Sequence, residues 1–181
     1  MYLLILIAII CGILICLSSY YPAMISAALA ALAALSWRSL MLFYQSRTDT
    51  LTGLWNLRRL DDMRRYYSKC SELSVWYFDL DHLKHINDAA GHADGDRMLV
   101  AVATALRNVD SPRKMAYRIG GDEFLLILPF PVGSVPPLAD PDRLQVSWGF
   151  ALGPGSRIDE LIVRAEQAMY EKRCTNESVN R

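Results

Sequence analysis

Charge is missing from the first 37 residues. All 19 Lys and Arg and all 19 Asp and Glu lie between Arg38 and Arg181. The 52% apolar fraction therefore averages two materials, an uncharged leader and a segment of ordinary soluble composition. Neither sign of charge is in excess, which excludes a strongly basic nucleic-acid binder and an acidic tail, though not a local basic pocket. Cysteine is scarce: of four, Cys11 and Cys16 lie in the leader, and Cys70 and Cys174 are far apart with no Cys-x-x-Cys spacing. No disulfide framework or zinc ribbon is readable. Internal repeats are absent. Between Leu128 and Leu144, prolines 129, 131, 136, 137 and 141 exclude a helix. Fifteen extended residues at ~3.3 Å each still cross a domain, so a loop is expected there.

The leader Met1 to Leu17 carries nothing more polar than Tyr2, and at 1.5 Å per residue it reaches ~26 Å, close to the ~30 Å hydrocarbon thickness. Pro22 interrupts the run, and a second apolar stretch follows from Ala23 to Trp37. The expectation is two transmembrane helices over residues 1–45 with a turn near 18–22, a multi-pass insertion. A cleaved signal peptide is the alternative; it fits less well because no basic stretch precedes the apolar run. Arg38, Arg47, Arg58 and Arg59 follow the second stretch, which places the soluble part in the cytoplasm. Such a hairpin leaves almost nothing outside the membrane, so no sensory domain is expected. Small residues at four-residue spacing in the second stretch would allow close helix approach.

In the soluble part, Thr52 is expected to cap a helix with Leu57, Leu60, Met63, Tyr66 and Tyr67 on its apolar face. Leu73 to Leu80 reads as a buried strand. Ala93 to Val109 reads as a helix, Lys114 to Ile119 and Glu123 to Leu128 as two strands, Gln145 to Leu152 as another, and Ile158 to Arg173 as an amphipathic helix. Gly120-Gly121-Asp122 between two strand runs is a hairpin-turn signal. The order suggests an α+β fold, a split βαβ ferredoxin-like antiparallel sheet with helices on one face. A compact domain over 46–176 and a polar tail over 177–181 complete the expected layout.

Asp79 and Asp81 end the first buried strand, and Asp122 and Glu123 occupy the hairpin turn. In such a sheet these strands are neighbours, so four carboxylates can meet at one edge. Oxygen donors of this kind suit a hard cation that keeps waters for substrate phosphates, and two metals can serve both an attacking and a leaving oxygen. Taken singly, each acid is an ordinary strand-end or turn residue. His82 and His85 beside Asp79 and Asp81 offer a weaker alternative, a transition-metal cluster.

The wider context carries a resemblance. Arg118-Ile119-Gly120-Gly121-Asp122-Glu123-Phe124 holds the signature pentapeptide of the GGDEF, or diguanylate cyclase, family. Asp79-x-Asp81-His82, Lys84, Ile86-Asn87-Asp88, Gly91-His92 and Gly95-Asp96 are similar to its nucleotide-binding stretch in order and spacing. Asp49-Thr50-Leu51-Thr52-Gly53-Leu54-x-Asn56 resembles its opening motif. Val146-Ser147-x-Gly149-x-Ala151 and Ala165-Glu166-x-Ala168-Met169-Tyr170 resemble its closing strand and helix. The resemblance runs from about Thr48 to Arg173.

It implies the nucleotidyl-cyclase-like fold and condensation of two GTP into cyclic di-GMP with release of pyrophosphate. By position, Asp79 and Asp122 through their side chains and Leu80 through its carbonyl would hold Mg²⁺, or Mn²⁺ in its place. Asp122 would accept the proton of the attacking ribose 3′-OH, with Glu123 as its helper. Asn87 and Asp96 would read guanine, with His92 in the same wall. Lys84 and Arg173 would neutralise phosphate. The reaction needs two facing half-sites, hence a homodimer, held here on the lipid bilayer of a bacterial inner membrane, with no role for nucleic acid.

The sequence departs from the family in three places, the first being the proline-rich loop after Leu128 that stands where the family has a second covering helix. The Arg-x-x-Asp of product inhibition would fall on Ser111-Pro112-Arg113-Lys114, so no such feedback is expected. The closing Lys-x-x-Gly-Arg becomes Arg173, Asn176 and Glu177. These changes keep open a second reading, a degenerate domain that binds GTP or a protein partner without turnover.

Overall fold

The computed structural model describes residues 2–133, 138, 141 and 143–179. The chain divides into two units, Met1–Tyr44 and Gln45–Arg181.

The first unit lies on one continuous helix, α1 (Tyr2–Arg47, 46 residues), with Pro22 inside it. The expected turn near 18–22 is therefore not formed. The physical reason is backbone satisfaction. A proline removes one N–H and one helical hydrogen bond, whereas breaking the helix into a turn gives up several. Within Ile5–Arg47 an 18-residue stretch reaches a mean hydropathy of 2.2, and the helix is long and apolar enough by composition to cross a membrane. Multi-pass insertion has no support in this architecture.

In the second unit the sheet has the order β1-β3-β4-β2-β5. Its strands are β1 (Trp55–Asn56), β2 (Leu73–Leu80), β3 (Met115–Arg118), β4 (Glu123–Leu128) and β5 (Val146–Gly153). Only β1 and β3 pair in parallel; the other pairs are antiparallel. Helices α2 (Leu57–Tyr67), α3 (Leu83–Ala90), α4 (His92–Asn108) and α5 (Ile158–Val179) complete the fold. The helices cover both faces of the sheet rather than one. Trp76, Phe78 and Leu80 pack with Leu99, Val102 and Leu106 of α4. Val75 and Tyr77 face the other way, onto Leu60 and Tyr67 of α2 and Leu161, Ala165 and Met169 of α5. A strand buried at nearly every position needs cover on both sides, and β2 reads LSVWYFDL.

Three local expectations change. Asn56, not Thr52, caps α2, its Oδ1 accepting from Arg59 N at 3.2 Å. Helix α3 and β1, of eight and two residues, are too short to stand out in the sequence, and α3 fully buries no residue. Helix α5 continues to Val179, through most of the expected polar tail, because neither Pro nor Gly follows Arg173.

In the proline-rich segment, residues 129–133, 138, 141 and 143–145 are non-helical; the rest of that expectation lies outside the described residues. The loop is pinned to the start of β2 by buried Ser74, whose hydroxyl donates to Phe130 O (2.9 Å) and accepts from Val132 N (3.0 Å). Phe130, Val132 and Leu138 then cover part of the α4-side core, where a second helix would lie.

Helix α5 lies very close to β5 because residue 149 is glycine. A Cβ there would stand 2.0 Å from Ala165 O and 2.2 Å from Met169 N. Those are backbone atoms that cannot swing aside. Gly149→Ala is expected to lower stability by ~2 kcal/mol or more, as overpacking against a fixed backbone does. Thermal unfolding checks this, and an unchanged midpoint would contradict the close approach.

Candidate active site

The apolar face of α5 repeats at four-residue spacing, Ala165 to Met169, and one further step reaches Arg173. The first two residues are buried on the sheet, so the third arrives at the end of β2. There Arg173 Nη1 donates to Asp79 Oδ1 at 2.6 Å and Nη2 to Asp81 Oδ1 at 3.1 Å. Ser147 of β5 donates from its hydroxyl to the same Asp81 oxygen at 2.8 Å.

Asp79 pairs across the sheet with Glu123 on one side and Ser147 on the other. Its carboxyl is pushed above the ordinary aspartate value. Burial is the largest cause, the Arg173 hydrogen bond opposes it, and the negative charges of Asp122 and Asp81 reinforce it. Glu123 turns to Tyr77, whose hydroxyl donates to Oε1 at 2.7 Å. Burial first, and then that hydrogen bond, hold the Tyr77 phenol far above its usual range, so it remains a donor.

The hairpin turn behaves differently from its sequence signal. Among the described residues the glycines with positive φ are Gly53 and Gly91; Gly120 and Gly121 are not needed for left-handed backbone. Gly120 instead makes room for Glu123, whose Oε2 stands 2.0 Å from where a Cβ would be. The turn is held to β2 by Leu80 N donating to Asp122 O (3.0 Å).

The turn is held from outside by Arg118, which donates to Gly121 O (Nη2, 2.6 Å) and to Asp49 Oδ1 (Nη1, 3.0 Å). Asp49 in turn accepts from the backbone N and hydroxyl of Thr52, at 2.8 and 2.6 Å. Burial alone would raise the Asp49 pKa, but the hydrogen bonds from Thr52 and Arg118 outweigh it and leave the carboxyl below its ordinary value.

On the α4 side of the sheet, Asn87 of α3 packs against Gly95 of α4, its Oδ1 2.1 Å from where a Cβ on residue 95 would stand. That amide oxygen is buried without a hydrogen-bond partner. A buried acceptor left alone is costly, and a ligand N–H would satisfy it. Asp96, next in sequence, is exposed, as are His92 and Lys84.

The four acids therefore do not gather on one point. Asp79 and Asp81 share Arg173, and Glu123 is bound to Tyr77. Among the described residues no group of three His, Cys, Asp or Glu side chains forms a metal-binding cluster, His82 and His85 included. The donor chemistry still fits a hard divalent cation. Asp79, Asp122 and the Leu80 carbonyl offer only oxygen, and the mutual repulsion of Asp79 and Asp122 is what such a charge relieves. Tyr77, Arg118 and Ser147 were not expected in the site. Tyr77 could have been found, since it lies two residues before Asp79 on the same strand face.

In the segment where product inhibition would reside, Arg113 is exposed at φ 57 and the Lys114 ammonium donates to the Val109 carbonyl.

Comparison with known proteins agrees with this geometry. The family model "Diguanylate cyclase, GGDEF domain" matches residues 46–132. Diguanylate cyclase DgcM of Escherichia coli K12 is 33% identical over 153 residues, 74% of this chain and 37% of that protein. The chain spans well under half the length of the curated relatives it matches; for one named a cyclic di-GMP phosphodiesterase the share is 10%. The crystal structure of the coiled coil and GGDEF domain of DgcB from Caulobacter crescentus, in complex with c-di-GMP, superposes with a TM-score of 0.75. It is 26% identical, over 84% of this chain and 94% of that one. A sensory box/GGDEF family protein from the same organism gives a TM-score of 0.56 at 30% identity, over 71% of this chain and 99% of that one.

The tie between Asp49 and the turn makes a pH prediction. A carboxyl depressed in the folded state contributes stability above its unfolded value, near 3.8, and loses it as pH falls through the folded value. Asp49→Asn should therefore be less stable than wild type at pH 7, with the difference shrinking below about pH 4. Melting curves of both proteins across pH check this, and a gap that widens in acid would contradict it.

Proposed function

The chain belongs to the GGDEF-domain family of diguanylate cyclases, and from that membership and the strand-end geometry we propose that it condenses two GTP molecules into cyclic di-GMP. The observation that carries the proposal is the pairing of Asp79 with Glu123 across β2 and β4, with the Asp122 turn hydrogen-bonded to Leu80 beside it.

In each half-reaction the ribose 3′-OH of one GTP attacks the α-phosphorus of the other. One P–O bond forms, the α–β phosphoanhydride breaks, and pyrophosphate leaves; two such steps close the ring. Asp122 accepts the 3′-OH proton, and Glu123, fixed by Tyr77, maintains negative charge beside it. Mg²⁺ or Mn²⁺, held by Asp79, Asp122 and the Leu80 carbonyl, would neutralise phosphate charge and acidify the attacking hydroxyl. Asn87 and Asp96 accept from guanine N–H donors; the unpartnered Asn87 Oδ1 supports that role. His92 lies at the start of α4 in the same wall. Lys84 and Arg173 meet phosphate.

One chain supplies one half-site, so turnover requires a homodimer. The apolar helix α1 supports attachment to a bacterial inner membrane, with the basic residues after it holding the domain on the cytoplasmic side. Two-dimensional confinement then raises the chance of half-site encounter. With Ser111 and Lys114 in the Arg-x-x-Asp positions, product feedback through that motif is not expected.

A second reading, GTP binding without turnover, is favoured by one observation: Arg173 already occupies both Asp79 and Asp81.

The test is full-length protein in nanodiscs with GTP and Mg²⁺, product read by mass spectrometry. Asp122→Ala should lose product by about a hundredfold or more, the scale of a missing general base, while keeping wild-type melting and GTP binding. Product surviving in that variant would remove Asp122 as proton acceptor. Asp96→Ser should relax the preference for GTP over ATP, and an unchanged preference would contradict the guanine-reading role.

A further inference from the structure

We propose that the basic face of α2 docks on the anionic headgroups of the membrane that α1 enters, giving the domain a second, lateral attachment. The proposal rests on the membrane reading of α1 above and assigns a surface that this reading leaves unused.

Arg58, Asp62, Arg65 and Lys69 follow one another at four-, three- and four-residue spacing, so they line one face of α2 and of the turn after it. That face lies opposite Leu60 and Tyr67, which α2 buries in the core. The acids of the helix are already committed. Asp62 accepts from Arg47 at 2.7 Å, and Asp61 accepts from Arg64 at 3.0 Å. Arg58, Arg65 and Lys69 are exposed, and among the described residues none of them forms an ion pair. Three cations therefore stand in a row with their charge uncompensated.

Charge and position identify what the face meets. The chain has no net charge, yet residues 38–71 carry seven basic and three acidic side chains, and residues 72–181 carry twelve and sixteen. An anionic surface therefore attracts the segment that follows the apolar leader and repels the remainder. Position agrees. The exposed apolar side chains of α1 continue through Leu40, Leu42, Phe43 and Tyr44, and the second unit begins at Gln45. Placing those side chains in the bilayer interface brings the first residues of the domain to headgroup level. These residues are tied to α2. Besides the Arg47–Asp62 pair, the side-chain amide of the cap residue Asn56 donates to Ser46 O at 3.1 Å. The basic face thus lies on the helix that the entry segment holds, and each Lys or Arg near an anionic leaflet adds attraction that fades within a Debye length. One helical anchor leaves a domain free to tilt; a lateral contact fixes how it is presented to a second copy.

The experiment uses full-length protein without nucleotide in nanodiscs of phosphatidylcholine, alone or mixed with phosphatidylglycerol. Acetylation of each lysine by an uncharged amine reagent is followed by mass spectrometry, with exposed Lys84 as the internal reference. Relative to Lys84, Lys69 should react about fivefold or more slowly in the anionic discs than in the neutral ones, the scale of one basic contact at the leaflet surface. Raised salt should abolish that difference. Arg58→Gln/Arg65→Gln changes exposed residues opposite the core, so the double variant should keep wild-type melting and lose the protection. Protection that persists in the double variant, or Lys69 reacting at the same rate in both discs, would overturn the proposal while leaving the membrane reading in place. Lys69 shielded equally in both discs would overturn it in favour of a second copy of the chain on that face. Protein that co-elutes with neither disc would overturn the membrane reading as well.

Discussion

A carboxylate at the end of a strand buried on both faces must be compensated, and the soluble unit is arranged around that requirement. Asp79 continues the buried run of β2 without reaching open solvent, so its charge is penalised by burial and by the neighbouring Asp122 and Asp81. Arg173 supplies the opposing charge. It can do so only because α5 lies against β5 at a distance that Gly149 alone allows. Taking two charges out of water offsets much of their attraction, so this pair is better understood as organising the site than as holding the fold together. Its geometry matters in both readings of the protein: the strand-end acids are preorganised, and a cation is already near them.

The remaining acids are fixed by other means, each drawn from a different segment. Glu123 is held by Tyr77 from the adjacent strand and lies over Gly120. The turn bearing Asp122 is held by Arg118, and Arg118 is held by Asp49 from the segment directly after α1. A path of hydrogen bonds thus runs from Thr52 through Asp49 and Arg118 to the Gly121 carbonyl. The opening motif, far from the hairpin in sequence, has a structural task there: it sets the conformation of the turn next to the strand-end acids.

Much of this was legible in the sequence, and the gaps have physical causes. Strands β2 and β4 run over the expected residues because eight- and six-residue apolar runs have few other ways to be buried. The acids were assigned to the strand end and turn where they lie. Their mutual arrangement was not legible, since it depends on long-range partners, Arg173 from α5 and Tyr77 from within the core, that no local pattern reveals. Helix α3 is only eight residues long, too short for the spacing of Leu83 and Ile86 to stand out as a helix in the sequence. Asp49 rather than a helix claims the Thr52 hydroxyl, which left the cap to Asn56. Pro22 reads as a stop in a soluble helix but interrupts only one hydrogen bond in α1. The two turn glycines had a conventional explanation in backbone freedom, whereas Gly120 provides space for a carboxylate.

The central claim is that this strand end joins two nucleotides rather than only holding one. The most direct measurement is the stoichiometry of turnover by wild-type protein in nanodiscs, with GTP, pyrophosphate and cyclic di-GMP quantified together over time. The account predicts two GTP consumed and two pyrophosphates released for each cyclic di-GMP formed. GTP that is bound and recovered intact, or converted to GDP and phosphate, would contradict it and leave a nucleotide-binding module in place of an enzyme.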